Sequence, residues 1–151
     1  MKIVITVGLP GSGKSTYLKR RGVNAISSDE IRRLIADDPG DQSVQARVFA
    51  SIRYLIRQRL AVGRPVTYVD ATHLTRWERR PYIRLARRYG CGLEALFFDV
   101  PVDVCIVRNG RRERVVPSRV IREMSRKMQV PVIEEGFDGV IRPRMNADRR
   151  G

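Results

Sequence analysis

Histidine occurs once in this chain, at position 73, and cysteine twice, at positions 91 and 105. The cysteines have no C-x-x-C spacing and one histidine cannot complete a ligand set with them, so neither structural zinc nor a disulfide is expected. No apolar run is long enough to span a bilayer, and no membrane partner is expected. A strand-like run begins at Lys2 with no signal peptide ahead of it, so the sequence reads as a soluble, cytoplasmic protein. Aromatic residues are few, 7%, and do not interleave with basic ones, so no stacking platform for single strands is visible. Lysine is scarce too, being confined to Lys2, Lys14, Lys19 and Lys127, and arginine supplies nearly all of the positive charge.

That charge is large. Lysine plus arginine number 30 against 16 acidic residues, a formal net of +14. An arginine-rich genome explains the choice of arginine over lysine, but not the excess of positive over negative charge. The excess favours a nucleic-acid or other multiply phosphorylated partner. At 151 residues, 42% of them hydrophobic, the chain suits one domain over 1–151 with little room for a second. Residues 142–151 are polar enough to fray. No obligate protein partner is visible.

The segment GLPGSGKST, residues 8–16, fits the phosphate-cradling pattern G-x-x-x-x-G-K-[ST] at every fixed position and follows the buried strand pattern KIVITV. Gly8, Gly11 and Gly13 let backbone N–H groups turn inward, where a side chain would block the phosphates. Lys14 reaches toward the β- and γ-phosphates, Ser15 offers a hydroxyl to Mg²⁺, and the helix that begins here presents its positive end to the same charge. With Ser12 and Thr16 these are the candidate residues for ATP or another nucleoside triphosphate. A glycine turn that merely links strand to helix is the competing reading.

Downstream, short apolar runs alternate with helical patterns. Residues 23–28, 65–70 and 93–100 read as further strands, with a last one around Val140 and Ile141. Helices are predicted over 15–21, from Asp29 to near Pro39, over 43–62, over 75–89, from Pro101 through Arg108, Arg111, Arg112 and Arg114, and over 117–128. The alternation predicts an α/β fold, a P-loop NTPase three-layer sandwich with a parallel sheet flanked by helices and ligands at the C-terminal strand ends. Gly8, Asp29 and Asp70 are all expected at such ends.

If a triphosphate is held at residues 8–16, an acceptor hydroxyl must lose its proton as the γ-phosphoryl transfers, and a carboxylate is the usual device. Asp29, read as ending the second strand beside the P-loop strand, is the candidate base. Arg32 lies three positions on, so carboxylate and guanidinium can converge on one acceptor. On residues alone, a capping role for Asp29, with Ser28 also available and Arg32 solvated, stands level with this. Asp70, after VTYV, looks like a carboxylate acting on Mg²⁺; a turn or cap residue is its alternative. Arg108 and Arg112 are four apart on a predicted helix and could close over the triphosphate, with Arg111 and Arg114 as competitors and a solvated helix face as the ordinary state. His73 follows Asp70 closely, although a lone histidine is more often structural. Trp77 and the RWERR run could equally be surface decoration.

Taken together these residues resemble the polynucleotide 5′-hydroxyl kinases, the bacterial and phage end-healing branch of the P-loop phosphotransferases. The likeness rests on GLPGSGKST, SSDEIRRL, VDATHLTRWERRPYI, FFDVPVDVCIVRNGRR and PVIEEGFD, and spans nearly the whole chain. It implies ATP- and Mg²⁺-dependent transfer of the γ-phosphoryl to 5′-OH ends of DNA or RNA in end healing. By the same resemblance Lys14 binds phosphate, Ser15 the metal, Asp29 is general base, Arg32 holds the acceptor's 3′-phosphate, and Arg108 and Arg112 form a helical lid. The family's VDATH-like segment usually ends in Asn where this chain has His73, and the D-x-D-x-T motif of a fused phosphatase is missing, so a stand-alone kinase module is expected. Two other readings remain: a small-molecule kinase of the same fold acting on a nucleoside, antibiotic or metabolite, and a non-catalytic, nucleotide-dependent switch that binds nucleic acid. The second would need a partner or ring, and the extra helical domain of ring ATPases is not seen.

Overall fold

Strand β1, Lys2–Val7, is buried from its second residue onward, as its unbroken apolar run requires. The computed structural model describes residues 1–144, so most of the expected fray over 142–151 falls outside the described residues. After β1 come α1 (Lys14–Arg20), β2 (Ile26–Ser27), α2 (Ser28–Ala36), α3 (Gln45–Ala61), β3 (Val66–Asp70), α4 (Arg76–Tyr89), β4 (Gly92–Phe97), α5 (Val102–Asn109), α6 (Ser118–Lys127) and β5 (Gly139–Ile141). Short 3-10 turns at Gln42–Val44 and Ile133–Glu135 complete the elements. The strands form one sheet, all neighbours parallel, in the order β2-β3-β1-β4-β5.

Alternate side chains of β1 go to opposite faces. Ile3, Ile5 and Val7 meet Val48, Ile52, Ile56 and Leu60 of α3 and Tyr82 and Ala86 of α4. Val4 joins Leu18 of α1 with Leu96 and Phe98 on the other side. The expected layers are present: parallel sheet, helices on both faces. A third, smaller cluster of Leu9, Leu74, Cys105, Val116 and Ile121 seats α5 and α6 over the loops that leave the sheet's C-terminal edge.

Four local expectations change. β2 is two residues long, Ile26–Ser27, not six: at its end Ser27 pairs with Asp70 and also caps α2, accepting from Glu30 N at 3.3 Å, so the helix takes over at Ser28. Asp29 is therefore the second residue of a helix instead of a strand end, and neither it nor Ser28 is the cap. β3 lies between β2 and the P-loop strand, so Asp29 does not adjoin β1 along the sheet. The helix from Pro101 stops at Asn109, which leaves Arg111, Arg112 and Arg114 in the turn beyond it.

The RWERR run is not all surface. Trp77 is 73% exposed, yet Arg79 is fully buried. Its Nε and Nη2 donate to the two carboxylate oxygens of Glu135 at 2.9 and 3.0 Å, and Nη1 donates to His73 O at 2.8 Å. A buried, bidentate pair of this kind fixes geometry, and its removal strands a charge. His73 is buried as well, at φ +46°, with Nδ1–H donating to Thr6 O at 2.6 Å and Nε2 accepting from Tyr82 Oη at 2.8 Å. Burial holds its pKa down at about 4 despite the Thr6 bond, so it is a neutral structural residue and not a substrate contact.

Two outcomes follow from these buried groups. Glu135→Ala should lower stability by about 3–5 kcal/mol in denaturant unfolding, because it leaves the Arg79 guanidinium uncompensated. His73 binds a proton more readily unfolded than folded, so its contribution is complete above pH 6.5 and is lost as pH falls toward about 4. The wild-type chain should lose about 3 kcal/mol over that window relative to His73→Asn, which tolerates the left-handed backbone and does not titrate; parallel unfolding curves would sink this.

Candidate active site

The sheet's C-terminal edge is held in register by side chains as well as strands. Thr6 Oγ1 donates to Ala71 O at 2.7 Å and accepts from Ala71 N at 3.1 Å, and Gly8 N donates to Thr72 O at 3.0 Å. These bonds place Asp70 beside the phosphate loop. Ser15 Oγ donates to Asp70 Oδ2 at 2.6 Å, so the two candidate metal residues already touch.

The loop is built by close approach. A Cβ on Gly8 would lie 2.6 Å from Ser12 Oγ and 3.1 Å from Phe98 Cβ. Gly11, at φ +84°, faces the Cys105 carbonyl so directly that a Cβ would collide with α5. Ser12 Oγ is buried and has no hydrogen-bond partner among the described residues. Gly13 caps α1, and Thr16 is exposed in its first turn. Lys14 lies under this turn, 8% exposed, its Nζ donating to Gly8 O at 3.0 Å and Leu9 O at 2.8 Å. Burial lowers its pKa to about 8; Asp70 acts against that shift and Arg112 adds to it.

Asp29 and Arg32 converge, but with the arginine inside. Arg32 is 3% exposed; Nη1 donates to Asp29 Oδ1 at 2.9 Å and to Pro39 O at 3.3 Å, and Nη2 donates to Gln45 Oε1 at 2.6 Å. Asp29 Oδ2 meets Arg114 Nη1 at 3.6 Å. Arg108, Arg111, Arg112 and Arg114 all line the same cleft of about 680 Å³, together with Lys14, Ser15, Asp29 and Asp70. A shared helix face does not produce that convergence. Asn109, 2% exposed, donates from Nδ2 to Val116 O at 2.6 Å and accepts from Val116 N at 3.2 Å, folding the arginine turn back over the cleft. Sequence reasoning missed Asn109 and Gln45, and their contacts cannot be read from spacing. It held Arg114 only as a competitor.

The donor set fits a magnesium–triphosphate. Gly11 and Gly13 of the loop line the cleft, and Ser15 and Asp70 offer it a hydroxyl and a carboxylate, the oxygen chemistry a hard cation takes. No group of three or more His, Cys, Asp or Glu that could hold a metal occurs among the described residues. Among the described residues no helix is long and apolar enough to cross a membrane.

Comparison with known proteins gives the same architecture. The human L-seryl-tRNA(Sec) kinase is 36% identical over 74 residues, 48% of this chain and 21% of that protein. The Methanococcus maripaludis L-seryl-tRNA(Sec) kinase is 23% identical over 143 residues, 90% of this chain and 56% of that protein. The chain thus spans from about a fifth to just over half of the length of these curated relatives. Among solved structures, a chain of the Pnkp1/Rnl/Hen1 RNA repair complex matches with a TM-score of 0.72 at 22% identity, over 91% of this chain and 46% of that one. A gluconokinase from Sinorhizobium meliloti matches at 0.61 and 22%, over 93% and 81%. These likenesses establish the P-loop kinase fold but do not single out polynucleotide 5′-kinases. The model of the AAA domain family matches residues 3–131, and this chain belongs to that family.

Proposed function

We propose that this chain is an ATP-dependent kinase that transfers the γ-phosphoryl group to the hydroxyl of a small acceptor group, with Asp29 as general base. The observation that carries the reading is the opposition, within one cleft, of the Ser15–Asp70 pair to an Asp29 carboxylate bracketed by Arg32 and Arg114. The cleft of about 680 Å³ takes in the 8–16 loop and the Asp29 side together. Two similar proteins are named for small hydroxyl-bearing acceptors, a seryl group on tRNA and gluconate.

Each side chain has a part. Lys14, Arg108 and Arg112 place positive charge where phosphate oxygens gain negative charge in transfer. Ser15 and Asp70 are the residues to hold magnesium, which when bound neutralises charge on the β- and γ-phosphates. Arg32 fixes Asp29 through Oδ1 and leaves Oδ2, with its longer contact to Arg114, to accept the hydroxyl proton. The 5′-OH end of DNA or RNA remains a second acceptor, favoured by the net charge of +14 and by the likeness to the RNA repair structure.

Labelled ATP offered with seryl-tRNA, gluconate, free nucleosides and 5′-OH oligonucleotides decides between them. Transfer to a small acceptor group is expected, and Asp29→Asn should reduce it by roughly 10²–10⁴-fold while ATP binding is retained. Labelling confined to oligonucleotide 5′ ends would hand the site to the second reading, and an Asp29→Asn enzyme as active as wild type would remove Asp29 as the base.

A further inference from the structure

Helix α4 buries Tyr82, Ile83, Leu85 and Ala86 and turns its other side to solvent. That side is a row of arginines. At about 100° per residue, Arg76, Arg80, Arg84 and Arg87 fall within roughly 80° of arc, and four residues of helix are about 6 Å of rise, so the guanidinium groups follow one another along a line. They line a groove of about 360 Å³ between α4 and the 132–135 segment. Of the two carboxylates there, Glu135 is taken by Arg79 and Val132 N, which leaves Glu134 against four arginines. Some arginines elsewhere are ion-paired, as in Arg33–Glu30 and Arg122–Asp103. Among the described residues none of the four in the row has an ion-pair partner.

The row has a direction. It begins at Arg76, just past Ala71 and Thr72 in the cleft wall, and Arg76 N is held by Gln129 Oε1 at 2.9 Å. Trp77, 73% exposed, stands at this same end with the Arg80 guanidinium 5.4 Å from its ring centroid. An exposed indole beside a line of unpaired guanidinium groups suits a strand whose base stacks while its phosphates follow the helix. A membrane surface fits less well, because the apolar face of α4 is already spent on the core.

We propose that Trp77 and the Arg76–Arg80–Arg84–Arg87 row dock the phosphodiester backbone of a single RNA strand whose terminal group enters the cleft as phosphoryl acceptor. The role of the docked strand rests on the kinase reading above, whereas the docking itself does not. The test is fluorescence anisotropy of the full chain with a labelled single-stranded RNA at several salt concentrations. Arg80→Ala/Arg84→Ala should weaken binding roughly tenfold or more near 0.15 M salt and flatten the slope of log K against log salt by about 1.4. Trp77→Ala should weaken it about tenfold with the slope kept. The control pair Arg33→Ala/Arg47→Ala removes equal charge from α2 and α3 and should leave the slope as in wild type. Equal loss in both pairs would reduce the surface to diffuse charge and overturn the proposal. So would binding of phosphatidylserine vesicles, lost in the α4 pair, by a chain that ignores RNA. An acceptor carried on RNA should show a raised KM in the α4 pair, with a free small acceptor unaffected. An unchanged KM would sink the docking surface and leave the kinase standing. RNA binding through the row with no phosphorylation of any acceptor would do the reverse.

Discussion

The contact on which the site depends is between Gly11 and the backbone of α5. The Cys105 carbonyl and Asn109 N sit against Gly11 where any side chain would intrude, so the phosphate loop and the helix that leads to the arginines are packed main chain on main chain. Around that point Cys105, Leu9, Leu74, Val116 and Ile121 close a cluster of their own, separate from the two that flank the sheet. The arginine turn is thus not an appendage on a loop. Its root is packed on the loop that holds phosphate, and its far end is tied back by Asn109 to Val116.

From the same point the other half of the cleft follows. The loop's start is bonded to Thr72 and its strand to Ala71, which sets Asp70 against Ser15. Preorganisation of this sort matters for phosphoryl transfer, where the protein's contribution is mostly position and charge. The buried Arg79–Glu135 pair extends the chain of constraint outward. Through His73 O it steadies the segment between Asp70 and α4, and through Val132 N it ties the 132–135 turn to the same place.

What could be read in the sequence was whatever local pattern decides. The phosphate loop, β1 and the helical spacing of Val48, Ile52, Ile56 and Leu60 are periodic or fixed-offset signals, and the structure shows each of them. Asp70 was legible as a carboxylate after an apolar run. The illegible parts depend on partners far away in the chain. Arg79 looks like any surface arginine until Glu135, 56 residues on, is folded against it. Arg114 reaches Asp29 across 85 positions, and Asn109 matters through hydrogen bonds that end the helix expected to continue. Helical spacing therefore grouped Arg108 with Arg112 for a reason the structure does not use, although both line the cleft.

Arg32 bears most directly on the choice of acceptor. A guanidinium at 3% exposure has given up its water; three protein oxygens, from Asp29, Pro39 and Gln45, accept from Nη1 and Nη2, and Nε is buried with no partner among the described residues. For this arginine to hold an acceptor's 3′-phosphate, as the resemblance to polynucleotide kinases implies, the donors to spare are Nε and the second hydrogen of Nη2, and Arg32 is itself part of the cleft lining. Held as it is, Arg32 orients Asp29 through Oδ1, and the arginines of the 108–114 segment line the cleft with it. On the proposed reading these arginines serve the donor, and the acceptor side, with a carboxylate, Gln42, Gln45 and Phe49, suits a small group bearing a hydroxyl. Under the docking proposed above, a strand carrying that group has its phosphates met along α4.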